Sequence, residues 1–381
     1  MKRLIMNAYK TFECIGGKCP NTCCAGWKIY IDPQSAEKYQ NTEGEFGERL
    51  KRCIMHLDNG RDLFVLGKDR RCPFLDNKNL CQIYLTLGPD ALCVTCRDYP
   101  RMIYQAGDIE FAALSISCPE VGRIILTESE KQQFIYLEDE CVPEEQDVDW
   151  IKFNEYIRFF TTINNILQER QFYVRERLAA ALIYCCQGQE LINSKKSIDQ
   201  ITQVFENPDI YCTVTAQVLK DQRAIAEKLR FIKVYIEVLS EKEQLFLSLF
   251  NVTKLSECIG KQNNTEEIWH EAFNKYDEVV GETEQEQLLV YLIFRHFMDK
   301  YSKQTIWESM IFVVAFYTAC RCMAVMHYIG EGKFPDLEWR TLMISNVSRH
   351  FEHGGYTWGK IKERLKAEKM DQLAFWLQLV N

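Results

Sequence analysis

The segment Cys14-Ile-Gly-Gly-Lys-Cys19-Pro-Asn-Thr-Cys23-Cys24-Ala-Gly-Trp27 places four cysteines within eleven residues. Three shorter phrases follow: Cys72-Pro-Phe-Leu-Asp-Asn-Lys-Asn-Leu-Cys81-Gln-Ile-Tyr84, Cys93-Val-Thr-Cys96-Arg-Asp-Tyr-Pro-Arg101 and Ser117-Cys118-Pro-Glu120. Eleven of the 17 cysteines lie in the first 141 residues. Thiolates gathered this way are soft ligands, suited to zinc or to an iron–sulfur cluster. An odd total excludes complete internal disulfide pairing. At the start, Lys2 and Arg3 are followed only by Leu-Ile-Met before Asn7 and Lys10, which is not the apolar run of an export signal. The expectation is a cytoplasmic, reducing setting, where such cysteines bind metal rather than pair.

At 381 residues, 47% hydrophobic and 26% charged, the chain has the composition of an ordinary globular protein of about two or three domains. A net charge of −8 implies no nucleic-acid partner. The most apolar run, Met310 to Cys320, is shorter than the ~20 residues of a membrane span and reads as a buried core helix, so no membrane partner is expected.

The texture changes near residue 145. Seven of the nine prolines and ten of the 18 glycines precede it, interleaved with the cysteine phrases. Loops, hairpins and short helices around a fixed centre are expected there. Plausible strands are 28–31, 62–66, and 102–104 pairing with 109–112 across a Gln-Ala-Gly-Asp turn. Asp76-Asn-Lys-Asn79 reads as a second turn that brings Cys72 towards Cys81. Residues 142–149 form an acidic linker. Beyond Trp150, apolar residues recur at helical spacing, as in Trp150, Phe153, Ile157, Phe160 and Ile163. Further helices are expected over roughly 216–239, 284–301, 307–329 and 358–379, with Gly332 as a helix end. The fold class is therefore mainly α (α+β): a Cys-rich metal-binding module with short hairpins over 1–145, followed by a helical domain over 146–381.

Adjacent side chains point in different directions, so Cys23 and Cys24 do not both clasp one metal in regular geometry; one packs, or each serves a different centre. Lys18, Lys28, Arg70, Arg71, Arg97, Arg101 and Arg123 accompany the cysteines and would offset the negative charge of a thiolate cluster. Cys185, Cys186, Cys320 and Cys322 lie on apolar helices and read as small buried hydrophobes, and Cys53, Cys141, Cys212 and Cys258 stand alone. His350 and His353 read as helix-end polar residues. The Cys-x3-Cys-x2-Cys of radical enzymes fails, because Gly26 stands where its third cysteine would fall. No zinc-finger spacing, Walker loop or strand-bound Gly-x-Gly-x-x-Gly is present.

With these phrases in view, the N-terminal region resembles the YkgJ-type Cys-rich zinc- or iron-chelating module. Adding Cys14, Cys23-Cys24-Ala-Gly-Trp-Lys28, Leu87-Gly-Pro-Asp-Ala-Leu92 and Ser117-Cys118-Pro-Glu120, the set is similar to the flagellin lysine-N-methylase family. The motifs cover about residues 10–125. The resemblance implies methyl transfer from S-adenosylmethionine to lysines of flagellin, with a [4Fe–4S] cluster (zinc being the alternative). It carries over Cys14, Cys19, Cys23, Cys24, Cys72, Cys81, Cys96 and Cys118 as ligands, and leaves Cys93 outside the pattern. Eight thiols exceed the four of one cluster. Lysine attacks a methyl sulfonium only as the neutral amine, and Asp98, Tyr99, Tyr104 and Glu120 are the candidates to hold or deprotonate it. Two other readings stay open: a structural zinc site, or an iron–sulfur redox component without methyltransferase activity.

Overall fold

A computed structural model describes residues 2–138, 147–209, 215, 224–241, 265–300, 304–353 and 356–381. Cys141, Cys212, Cys258 and residues 142–146 of the expected linker lie outside them, as do 216–223 of one expected helix and the side chain of His353.

The chain opens with strand β1 (Lys2–Met6) and helix α1 (Asn7–Thr11). Next come β2 (Tyr30–Ile31), α2 (Pro33–Gln40), α3 (Gly44–Arg52), β3 (Ile54–His56) and β4 (Asp62–Phe64). Three short helices, α4 (Gln82–Leu87), α5 (Val94–Asp98) and α6 (Pro119–Leu126), alternate with the hairpin β5 (Arg101–Ala106) and β6 (Ile109–Leu114). Strand β7 (Phe134–Glu138) ends this half. The helices α7 (Trp150–Leu167), α8 (Val174–Asn193), α9 (Asp199–Phe205), α10 (Ala224–Ser240), α11 (Thr265–Lys300), α12 (Ile306–Glu331), α13 (Leu337–Ser348), α14 (Tyr356–Ala367) and α15 (Leu373–Val380) follow. The fold is mainly α with two small sheets, as expected.

Several expectations need correction. The strand expected over 28–31 is paired only at Tyr30–Ile31, and that over 62–66 ends at Phe64. The helix expected over 358–379 is two helices, because Lys369 takes a left-handed backbone and Met370 N–H closes back onto the Leu365 carbonyl. The apolar run within 310–320 belongs to a helix that is, by length and composition alone, long enough to cross a membrane, and its most apolar window is wholly buried in the protein. A helix apolar on all sides belongs inside a core. The hairpin was read correctly: Met102, Ile103 and Tyr104 face Ala113, Ala112 and Phe111 across a turn at Gly107-Asp108.

Strands β1, β3 and β7 were not expected. β1 lies inside the larger sheet, parallel to β6 and antiparallel to β7, in the order β5-β6-β1-β7. The smaller sheet has the order β2-β4-β3.

Two apolar cores result. A small one gathers Ile29, Tyr39, Leu50, Phe64, Phe74 and Ile83 with Cys72 and Cys93. The large one joins the β1–β6 sheet and α6 to the helices, through Leu4, Phe111, Val121, Phe159, Tyr291 and Phe316. Buried apolar packing thus runs across the compositional boundary near 145. Helix α12 is the central post, packed against α8, α11, α13 and α15. It starts on a capping box: Glu308 N–H donates to Thr305 Oγ1 at 3.1 Å, and Thr305 N–H to Glu308 Oε2 at 3.0 Å. Gly332, at φ 68°, ends it as expected. Helix α11 breaks at Gly281, whose φ of 73° lies outside helical space.

Helices α7 and α8 meet where Gly188 faces Phe159. A Cβ on residue 188 would lie 2.2 Å from the Phe159 ring, which is itself buried and 4.7 Å from the Tyr184 ring. Gly188→Ala is expected to destabilise the protein by about 1–3 kcal/mol, as overpacking does, even though alanine is the better helix former. Chemical denaturation of the two proteins checks this.

Candidate metal centre

The thiols are held by local turns of a common kind. Cys81, Cys93 and Cys118 each occupy the residue before a helix, namely α4, α5 and α6. In each, backbone N–H groups two or three residues further on turn back towards the sulfur: Ile83 and Tyr84 at Cys81, Cys96 at Cys93, Glu120 and Val121 at Cys118. Phe74 does the same at Cys72, and Asn21 at Cys19. Such donors favour a thiolate. Burial opposes them, pushing Cys72 up to about 12 and Cys118 up to about 11, and raising Cys19 and Cys81 as well. The sulfurs therefore need a cation to stay ionised, which a bound metal provides while releasing the thiol protons.

The Asp76–Asn79 turn forms as expected. Asp76 Oδ1 accepts the N–H groups of Lys78 and Leu80, both at 2.8 Å, and Leu75 bridges Cys81. The loop after Cys14 presses on this turn: a Cβ at Gly17 would lie 2.5 Å from the Lys78 carbonyl oxygen, so only glycine fits. Cys72 N–H donates to the Cys24 carbonyl at 2.7 Å, and Ala25 bridges Arg71. Cys23 is fixed from the other side, where Trp27 Nε1 donates to its carbonyl at 2.5 Å.

Two pairs of thiols hydrogen-bond. Cys23 donates to Cys24, which lowers Cys24 to about 7, with Thr22 and the Arg71 cation assisting; Cys23 itself rises. Cys96 donates to Cys93, so Cys93 falls and Cys96 rises. Cys93, outside the pattern of the resemblance, is brought beside Cys24, Cys72, Cys81 and Cys96.

Cys14, Cys19, Cys23 and Cys118 face a different neighbourhood, at the junction with the helices. Asn21 Nδ2 donates to Ser345 Oγ at 3.4 Å, and Ser345 Oγ donates to the Ser117 carbonyl at 2.7 Å. Arg349 donates to the Asn21 carbonyl at 3.2 Å, and its charge acts to lower Cys19. Helix α6 packs on α13, with Gly122 against Thr341.

Of the four candidates for the lysine, Tyr99 and Glu120 belong to this junction. Tyr99 OH lies 3.1 Å from Ser117 Oγ, and burial raises it, so it is a neutral phenol at neutral pH. Glu120 is buried, acts electrostatically on Cys19 and is held by Arg123 through Nη2 at 2.6 Å and Nε at 2.9 Å. Asp98 is half exposed and paired with Arg97 at 2.9 Å, and Tyr104, on β5, lies beside Phe294 and Arg295; neither joins the thiols. Of the seven expected basic companions, Arg71 acts directly on a thiol, whereas Arg101 lies over the rings of Tyr9 and Phe12 and Arg70 donates to Gly26. Arg349 was missed in the sequence, since nothing local to it signals a partner 328 residues away.

The donor set fits a soft centre. Among the described residues, no three His, Cys, Asp or Glu side chains stand close enough to share a single metal ion. Tetrahedral zinc, with Zn–S bonds of about 2.3 Å, would draw its sulfurs to about 3.8 Å from one another. A cluster, with several irons between its ligands, takes thiolates that stand further apart. Cys185, Cys320 and Cys322 are buried within the large core, where burial, the largest influence on each, raises them away from ionisation.

Residues 161–379 match the family model of the FliB lysine N-methylase C-terminal domain, more than half of the chain. The chain belongs to the FliB lysine N-methylase family. Residues 13–142 of this family member also match the model of a zinc- or iron-chelating domain. Over 125 residues it is 33% identical to the flagellar biosynthetic protein FliU of Salmonella muenchen, covering 31% of this chain and 72% of that protein. It is equally similar over 125 residues to a lysine-N-methylase of Salmonella typhimurium, covering only 30% of that protein's length. No solved structure matches.

Proposed function

We propose that this chain is a cytoplasmic S-adenosylmethionine-dependent lysine N-methyltransferase acting on flagellin, with a [4Fe–4S] centre in its Cys-rich module. Family membership supports the reaction class. The observation that carries the siting is the junction where Cys19, Cys23 and Cys118 meet Ser345 and Arg349 of the helical part, because pockets favour such joints. When bound, S-adenosylmethionine supplies an electrophilic methyl group, and a thiolate-bound cluster ties the module's segments together.

The chain's own residues then have defined tasks. The target lysine must be neutral, and with a free pKa of about 10.4 only about one amine in 2,500 is so at pH 7. The fixed Arg349 cation and the buried surroundings both disfavour an ammonium. Nitrogen forms its bond to the methyl carbon as the carbon–sulfur bond breaks, and the product ammonium loses a proton. Glu120 is the proposed acceptor of that proton, its carboxylate aligned by Arg123. Tyr99 OH and Ser117 Oγ orient the amine.

Flagellin co-expressed with the chain is expected to carry methylated lysines by mass spectrometry, and flagellin expressed alone none. Unmodified lysines from protein with verified cluster and S-adenosylmethionine binding would refute the proposal. Glu120→Gln should lower turnover by about 10²–10⁴-fold, the range for a lost general base, with iron content unchanged.

A further inference from the structure

We infer that the chain holds two separate thiolate metal centres, one built by Cys24, Cys72, Cys81 and Cys96 and the other by Cys14, Cys19, Cys23 and Cys118. The inference rests on the metal-site reading of the module and specifies how its thiols divide.

Backbone contacts tie the thiols together within each set. In the first, Cys72 N–H bonds the Cys24 carbonyl, and the Asp76 turn bridges Leu75 to Cys81. Cys72 belongs to the small apolar core, and Cys24, Cys81 and Cys96 pack against it. In the second, Cys118 belongs to the large core. The chain of hydrogen bonds from Asn21 through Ser345 to Ser117 ties the Cys19–Cys23 loop to the residue before Cys118. Trp27, holding the Cys23 carbonyl, lies 5.5 Å from the Tyr99 ring, and Tyr99 OH reaches Ser117.

Electrostatic neighbours divide the same way. Cys24 acts on Cys72, Cys81 and Cys96, while Cys14 acts on Cys19, Cys23 and Cys118. The two sets touch at the Cys23–Cys24 pair, whose thiols hydrogen-bond each other, while Cys23 otherwise neighbours Cys14 and Cys118 and Cys24 neighbours Cys72, Cys81 and Cys96. Each set also has its own cation, Arg71 at Cys24 and Arg349 at Cys19. Four thiolates complete one cluster, or one structural zinc, so two sets of four satisfy two centres and overfill one. Cys93 is a fifth thiol beside the first set, its Sγ 3.7 Å from the Tyr30 carbonyl and accepting from Cys96, and it is assigned no ligand's role.

The test uses the full chain, purified anaerobically and reconstituted with iron and sulfide. Wild type should bind about eight irons and eight sulfides per chain, the content of two [4Fe–4S] clusters. The electron paramagnetic resonance signal of the reduced protein should be broadened by coupling, because Cys23 and Cys24 are adjacent. Cys72→Ser and Cys118→Ser should each halve the iron and leave a sharp, uncoupled signal, whereas Cys93→Ser should keep full content. Two zinc ions in place of clusters, one lost with each substitution, would equally support two centres. About four irons in wild type with one uncoupled signal overturns the second centre and leaves the metal-site reading standing. No iron, sulfide or zinc overturns both. Should either serine variant fail to fold, the stoichiometry and coupling of wild type decide alone.

Discussion

Glu286→Ala is expected to cost about 3–5 kcal/mol of stability, the range for breaking a buried ion pair by removing one partner. Glu286 and Arg177 are each 1% exposed at the side chain, and Arg177 Nη1 donates to Glu286 Oε2 at 2.6 Å. Arg170 also donates to Glu286, through Nη2 at 2.9 Å. Truncating Glu286 strands the Arg177 guanidinium in the core with, among the described residues, the Leu167 carbonyl and the half-exposed Glu282 carboxylate, 3.3 Å away, as its remaining acceptors. The pair joins α8 to α11, so the loss should lower the denaturation midpoint of the whole helical part. A midpoint within error of wild type would show the network to be replaceable by water.

Lowering the pH from 7 to 4 is expected to remove about 3 kcal/mol of stability through His350 alone. This residue is buried in the π-helical turn Arg349–His353, and burial, with the adjacent Arg349 charge, pushes it down to about 4. Unfolded, it titrates near 6.5. Between these values the unfolded chain binds the proton and the folded chain does not, so stability rises with pH across that window. The contribution is intact above about 6.5 and is lost as pH falls towards 4. Carboxylates titrate in the same range, so the comparison is with His350→Gln, whose stability should fall by about 3 kcal/mol less between pH 7 and pH 4. Parallel curves for the two proteins would contradict this assignment.

The local signals in this sequence were reliable where a few consecutive residues decide the conformation. Asp76-Asn-Lys-Asn79 predicted the turn that brings Cys72 to Cys81, because an Asp side chain captures the next N–H groups whatever surrounds it. The hairpin around Gly107-Asp108 and helix α7 from Trp150 followed from the same kind of short-range information. Strand β1 was missed because five residues, Lys2–Met6, carry no alternation that identifies a strand; they become one by lying between β6 and β7. The single helix expected over 358–379 failed at Lys369, a residue with ordinary helix propensity whose left-handed backbone is set by the turn around it.

The same division runs through the site. Cysteine number, spacing and lack of clustered histidines determined, from sequence alone, that the first 145 residues gather soft ligands, because ligand chemistry belongs to the residue type. Only the tertiary structure decided which thiols neighbour one another, that Cys93 lies beside Cys72, Cys81 and Cys96, and that Ser345 and Arg349 meet the loop that carries Cys19 and Cys23. The physical reason is range. A turn or a helix cap is settled within four or five residues, whereas the meeting of Asn21 with Ser345 depends on how the two apolar cores pack, which no local stretch of the chain encodes.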